Sequence, residues 1–147
     1  MEFDITKRNY KNLEDLMNNA EFIIKDNKFK LNTEEKIKVF WNFIFNYIKL
    51  FKKNNSNSKK CEEHLYELNP FIKVLNEYLK QMDLPFKLEK MQSVYKKKSN
   101  FCTTELLFIT PNFWDFYKFG KISKGRIKKS FMTTSVNESK SKITIYL

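Results

Sequence analysis

Glu105-Leu-Leu-Phe-Ile-Thr110, followed at once by Pro111 and Asn112, marks the point where the character of this chain changes. An apolar run this short has the length of a strand, and the Pro-Asn pair ends it. Downstream, Ile127–Val136 (IKKSFMTTSV) and Lys142–Leu147 (KITIYL) are rich in β-branched residues and alternate well enough for two further strands. Upstream, the apolar spacing is helical. The fold class that follows is α+β: a helical N-terminal two thirds, then a small C-terminal sheet of about three strands.

Tyr10, Leu13, Leu16, Met17, Ala20, Ile23 and Ile24 recur at three- and four-residue steps, one face of a first helix. Asn32 or Thr33 is placed to cap a second, with Glu34 and Glu35 in its first turn, where carboxylates favour the dipole. Its stripe is Ile37, Phe40, Trp41, Ile44, Ile48 and Phe51, widened by Phe43, Phe45 and Tyr47. A helix apolar nearly all round is central in a core or carries an interface. Glu62–Leu68 fits a short helix, and Asn69-Pro70 opens another, lined by Phe71, Val74, Leu75, Tyr78, Leu79 and Met82 and stopped by Pro85. The spacing of Leu88, Met91, Val94 and Tyr95 predicts one more helix, running into Lys96–Lys98. The aromatics of Phe113–Phe119 fit a short helix or a loop.

The length fits a single domain, 1–147. Within it, composition suggests a helical subdomain 1–51, a mobile loop 52–60 (KKNNSNSKK) and an α+β part 61–147. There is no internal repeat.

Ala occurs once, Arg and Gly twice each, while Lys, Asn, Ile and Phe are abundant. These are the residues of AT-rich codons, so the source genome reads as AT-rich: viral, parasitic or low-GC bacterial. The net charge of +11 therefore has two readings, a solvated lysine surface inflated by that bias or a surface for an anion. Arg, the better residue for planar phosphate and base contacts, is nearly absent. The charge is uneven: residues 1–50 carry 9 basic and 8 acidic groups, residues 51–147 carry 19 and 9. Lys118, Lys121, Lys124, Arg126, Lys128 and Lys129 stand within twelve residues without one acid. Next to them, Phe113, Trp114, Phe116 and Phe119 either pack into the core or stack on bases while the lysines hold phosphates.

No phosphate-binding glycine loop, dinucleotide fingerprint, HExxH or CxxC is present. Cys61 and Cys102 with His64 make neither a disulfide framework nor a zinc set, so no metal is expected and the thiols point to a reducing, cytoplasmic setting. His64 beside Glu62 and Glu63 is no dyad, because adjacent residues diverge on a helix. Val39–Phe51 is too short and too interrupted to span a bilayer.

One pattern points to a family. Ser130-Phe131-Met132-Thr133-Thr134-Ser135 lies on an expected strand, after a lysine-rich loop with Gly120 and before Ile143–Leu147. This resembles the N-terminal part of the mono-ADP-ribosyltransferases of the bacterial toxin type, where an aromatic and a Ser-Thr-Ser strand brace the NAD site. Phe71–Leu79 is similar to that family's Ile-Asn-x-Tyr-Leu helix, Leu88–Lys97 to its next helix and Leu106–Thr110 to its first sheet strand. The resemblance covers about residues 60–147. It implies Thr133, Thr134 and Ser135 as cofactor-binding positions, with NAD as cofactor only if that site is kept. Thr110 stands where the family has its NAD-binding arginine, and no Glu-x-Glu or Gln-x-Glu follows Ser135. The implied protein is thus a non-catalytic relative acting by binding a protein partner, in a host cell if viral. The alternative is a basic nucleic-acid-binding protein using Lys118–Lys129, and a third reading has Val39–Phe51 offering a dimer or docking face.

Overall fold

A computed structural model describes residues 5–26, 30–54, 69–96, 101–135 and 138–147, without the side chains of 51–54, 69, 93–96, 101–103, 130–135 and 138–140. After a single 3-10 turn at Ile5–Lys7 come α1 (Leu13–Lys25), α2 (Thr33–Asn54), α3 (Asn69–Gln81), β1 (Lys87–Lys96), β2 (Phe101–Thr110), α4 (Phe113–Lys121), β3 (Arg126–Ser135) and β4 (Glu138–Tyr146). The fold is α+β. The four strands form one antiparallel sheet in the order β1-β2-β4-β3. β2 and β3 run parallel with β4 between them, so β2-α4-β3 is a split βαβ unit and α4 lies along the sheet.

The helix starts are set by asparagine. The Asn12 side chain accepts from the Asp15 amide and caps α1. At α2, Asn32 accepts from the Glu35 N–H at 2.8 Å while the Glu35 carboxylate accepts from the Asn32 N–H at 3.2 Å, a reciprocal box. The cap is therefore Asn32, and Thr33 opens the helix. α3 ends at Gln81, before Pro85, and Asp83 just beyond it has a left-handed φ of 55° that lets the Leu84 N–H reach back to the Leu79 carbonyl.

α2 is the centre of the core. Val39, Phe40, Trp41, Phe43, Ile44 and Tyr47 are all buried, and Phe45 is the one large apolar side chain between them left exposed. Its two buried asparagines, Asn42 and Asn46, are spent on the chain before α1. The Asn46 amide donates to the Arg8 carbonyl and its oxygen accepts from the Tyr10 N–H, while the Asn42 amide also donates to Arg8. The apolar girth of α2 thus serves this chain's own core. α2 also runs through Lys52–Asn54, where composition suggested a loop; residues 55–60 and the expected helix Glu62–Leu68 lie outside the described residues.

One face of the sheet packs on the helices. Leu106, Phe108 and Thr110 of β2 pair with Ile145, Ile143 and Ser141 of β4, and all six are buried. The alternate residues Glu105, Leu107 and Ile109 pair with Tyr146, Thr144 and Lys142 and form the uncovered face. The two expected strands at Ile127–Val136 and Lys142–Leu147 are present, but the sheet has four strands rather than about three. The added one corrects the expected helix at Leu88–Lys97, which is strand β1. The reason is a β-bulge: the register shifts between Leu88 and Lys90, so Leu88 and Met91, three residues apart, both face the core opposite Phe108 and Leu106. An inserted residue turns a period of two into a spacing of three, which reads as helix. Leu106–Thr110 accordingly belongs to the second strand of the sheet, not the first.

The α3–β1 junction is fixed by Asn76. Its amide donates to the Leu88 carbonyl at 2.9 Å and its oxygen accepts from the Leu88 N–H at 2.8 Å, in the manner of a neighbouring strand. Asn76→Ala should leave both Leu88 groups short of a partner and lower unfolding free energy by roughly 1–3 kcal/mol. The check is the urea midpoint, with the slope unchanged. A second test concerns alkaline pH. Burial pushes the Tyr10 phenol from 10.0 up to about 12, opposed by the nearby Arg8, and pushes Tyr78 up as well. Both phenols hold their protons in the native state after unfolded tyrosine has lost them, so stability should fall as pH rises from about 10 to about 12. The Tyr10 hydroxyl is buried without a hydrogen-bond partner. Tyr10→Phe should therefore be neutral or stabilising at pH 7 and make the alkaline decline shallower in pH-dependent urea unfolding.

Candidate nucleic-acid interface

The sequence Thr110-Pro-Asn112 builds the entry to α4 from local chemistry. The buried Thr110 hydroxyl donates to the Asn112 carbonyl and accepts from the Asn112 N–H. The Asn112 side chain then caps α4 by accepting from Trp114 and Asp115. Thr110, the position matched to an NAD-binding arginine, is thus committed to a turn.

α4 divides its aromatics by helical period. Phe116, Phe119 and Gly120 face inward and are buried. A Cβ on Gly120 would come within 3.0 Å of Ile127 and 3.2 Å of Ile145, so the small residue lets α4 lie close on β3 and β4. The opposite face carries Trp114, Tyr117, Lys118 and Lys121, at steps of three and four. Trp114 is 73 % exposed and Tyr117 40 %. Phe113 is half-buried at the margin, its ring 5.3 Å from Trp114 and 6.3 Å from Tyr117. Two ammonium groups lie on these rings: Lys121 Nζ is 5.9 Å from the Tyr117 centroid and Lys129 Nζ 5.2 Å from that of Phe113. Of the four aromatics weighed from the sequence, Phe116 and Phe119 pack into the core and Phe113 against its margin, while Trp114 stays outside it.

The six cations of Lys118–Lys129 do not form one loop. Lys118 and Lys121 are on α4. Lys124 occupies a tight turn, at a left-handed φ of 59°, which Ser123 closes by donating to the Gly120 carbonyl and accepting from the Gly125 N–H. Arg126, Lys128 and Lys129 are on β3, an edge strand. Lys129 pairs with Ile143 and so points to the helix side, whereas Arg126 and Lys128 pair with Tyr146 and Thr144 on the uncovered side. The Arg126 guanidinium lies 4.7 Å from the Tyr146 centroid. The structure thus joins Lys118, Lys121 and Lys129 to the α4 aromatics and separates Arg126 and Lys128 from them.

Thr133, Thr134 and Ser135 lie in β3, their backbones paired with Lys140, Ser139 and Glu138; their side chains lie outside the described residues. So do Cys61, His64 and the side chain of Cys102, and of Lys96–Lys98 only the backbone of Lys96 is described, in β1. Of the elements that carried the family resemblance, the helix at Phe71–Leu79 is present within α3 and the strands within β2 and β3, while the helix at Leu88–Lys97 is absent. A groove of about 500 Å³ between α1 and α3 is lined by Met17, Ile24 and Val74, with Glu21 and Glu77 set against Lys25 and Lys73, so it offers an anion no net charge. Among the described residues no cluster of His, Cys, Asp or Glu could hold a metal ion, and no helix is long and apolar enough to cross a membrane.

No family model matches the sequence, and neither a curated protein nor a solved structure matches the chain.

The place of Tyr117 beside Trp114 and the pairing of Arg126 with Tyr146 are not read from the sequence, which gives Tyr117 only as one of an aromatic cluster and Arg126 only as one of six cations. The first is recoverable from period alone: once Phe116, Phe119 and Gly120 are read as one helix face, Trp114, Tyr117, Lys118 and Lys121 fall on the other. The second needed strand register, which no local pattern supplies. The two tryptophans give a direct check of this geometry, since Trp41 is buried and Trp114 exposed. Trp114→Phe should remove the red-shifted, acrylamide-quenchable emission and leave a blue-shifted, protected signal from Trp41.

Proposed function

We propose that this protein is a binding module for single-stranded nucleic acid, with the outer face of α4 and Lys129 as its contact surface. The observation that carries this reading is Trp114, 73 % exposed on a helical face shared with Tyr117, Lys118 and Lys121. Burying such a ring would stabilise the fold by roughly 2 kcal/mol. Here it is instead presented beside cations. Bases offer π-faces to Trp114 and Tyr117, while Lys118, Lys121 and Lys129 neutralise phosphates, a combination that tolerates sequence. A duplex keeps its base faces stacked inside, so an unpaired strand suits the surface better. The ordinary lysines make point contacts rather than bidentate base readout, which argues for low sequence specificity.

Oligothymidylate should quench Trp114 emission. Its affinity should fall with salt at a logarithmic slope of about −2, as expected for three neutralised phosphates on a single strand. Trp114→Ala should weaken binding on the order of ten-fold, the cost of one lost stacking contact. Lys118→Glu with Lys121→Glu should abolish it. An affinity indifferent to salt and to Trp114→Ala would refute the reading.

A further inference from the structure

We infer that the uncovered face of the sheet is a second contact for the same ligand, so that a strand held on α4 continues over the edge strand β3 and across the sheet towards β1. This rests on the nucleic-acid reading above and extends it to the path of the bound strand.

The uncovered face has an apolar centre and a cationic margin. Leu107 and Ile109 of β2 and Tyr146 of β4 are half-buried side chains with no element packed on them among the described residues. Around them, Arg126 and Lys128 come from one outer strand and Lys87 and Lys90 from the other, placed on this face by their pairing with Tyr146, Thr144, Ile109 and Leu107. Two acids with described side chains lie on this side, and only Glu89 has a cationic partner. Glu89 is paired with Lys142 at 3.5 Å, and the Glu105 carboxylate accepts from the Gln92 amide at 3.0 Å. The cations at the two margins therefore outnumber the acids, and the face is complementary to a polyanion. The shallow hollow in it, about 160 Å³ between Lys90, Gln92, Glu105, Leu107 and Thr144, is well below the ~300 Å³ of the smaller ligand pockets. It suits a chain lying across the sheet, not an enclosed small molecule.

Continuity with the first surface comes from β3. Lys128 and Lys129 are consecutive on an outer strand and point to opposite faces, Lys129 to the Phe113 ring beside α4 and Lys128 to the uncovered side. The pair carries positive charge around the rim. Beyond it, Arg126 stacked on Tyr146 offers a planar surface for a base or sugar together with guanidinium donors for phosphate. From β3 to β1 is about 14 Å at the usual strand spacing, so the sheet requires nucleotides beyond those held on α4.

The experiment compares oligothymidylates of about 4 and about 16 nucleotides, the limits of the range single-strand-binding surfaces occlude. The wild-type protein should bind the long one on the order of ten-fold tighter per mole of sites. Lys87→Glu/Lys90→Glu, distant from α4, should lose that gain and bind the short one as the wild type does. Equal loss on both lengths, or no loss on the long one, would overturn the inference while leaving the α4 reading intact. Failure of the wild type to bind either length would overturn both. A concentration-dependent dimer in sedimentation that the same variant dissociates would assign the face to a second copy and also overturn it.

Discussion

A junction of aromatic rings holds this molecule together, and the candidate site depends on it. Phe40 and Trp41 of α2, Phe108 of β2 and Phe119 of α4 meet with ring centroids 5.2 to 6.2 Å apart. These geometries are tilted or edge-on, the arrangement in which ring quadrupoles attract. Apolar packing alone would let α4 rotate about its own axis. The Trp41 indole N–H, donating to the Phe119 carbonyl at 2.9 Å, removes that freedom, because a buried indole must find its acceptor. With Phe119 and Phe116 fixed inward, Trp114 and Tyr117 have no course but outward. The chemistry of the surface is set from the core, by contacts across nearly eighty residues of chain.

The charge becomes informative only once it is placed. A lysine excess in a chain with so few arginines says little about ligands, since codon bias alone can supply it. Location says more. Lys121 and Lys129 lie over aromatic rings, and Arg126 lies over Tyr146. A cation held on a π-face loses less water than one in an apolar pocket and remains available to a phosphate.

The parts of the fold that could be read from sequence are those in which local pattern and tertiary demand agree. The stripe of α2, the asparagine cap of the same helix, the Asn69-Pro70 opening of α3 and the strands at 105–110 and 142–147 are of this kind. Reading fails where one residue breaks the period. The bulge between Leu88 and Lys90 makes an edge strand imitate a helix, and nothing local reveals the imitation. Asn42 and Asn46 look like interruptions of an apolar helix and are instead its attachment to the Arg8–Tyr10 segment, some 34 to 38 residues earlier. The site was half legible: the segment 113–129 drew notice by composition, but which side chains share a surface depended on strand register and on the rotation of α4.

The two irregularities in the sheet are both on its outer strands, between Leu88 and Lys90 in β1 and between Lys129 and Phe131 in β3, while β2 and β4 pair with each other in unbroken register. An outer strand leaves a row of backbone donors and acceptors that another chain can annex. A kinked rail with lysines beside it is a poorer template for a flat newcomer. For a protein with 15 phenylalanines this is a safeguard against fibrous growth: irregular outer strands discourage the sheet from extending sideways by edge-to-edge pairing.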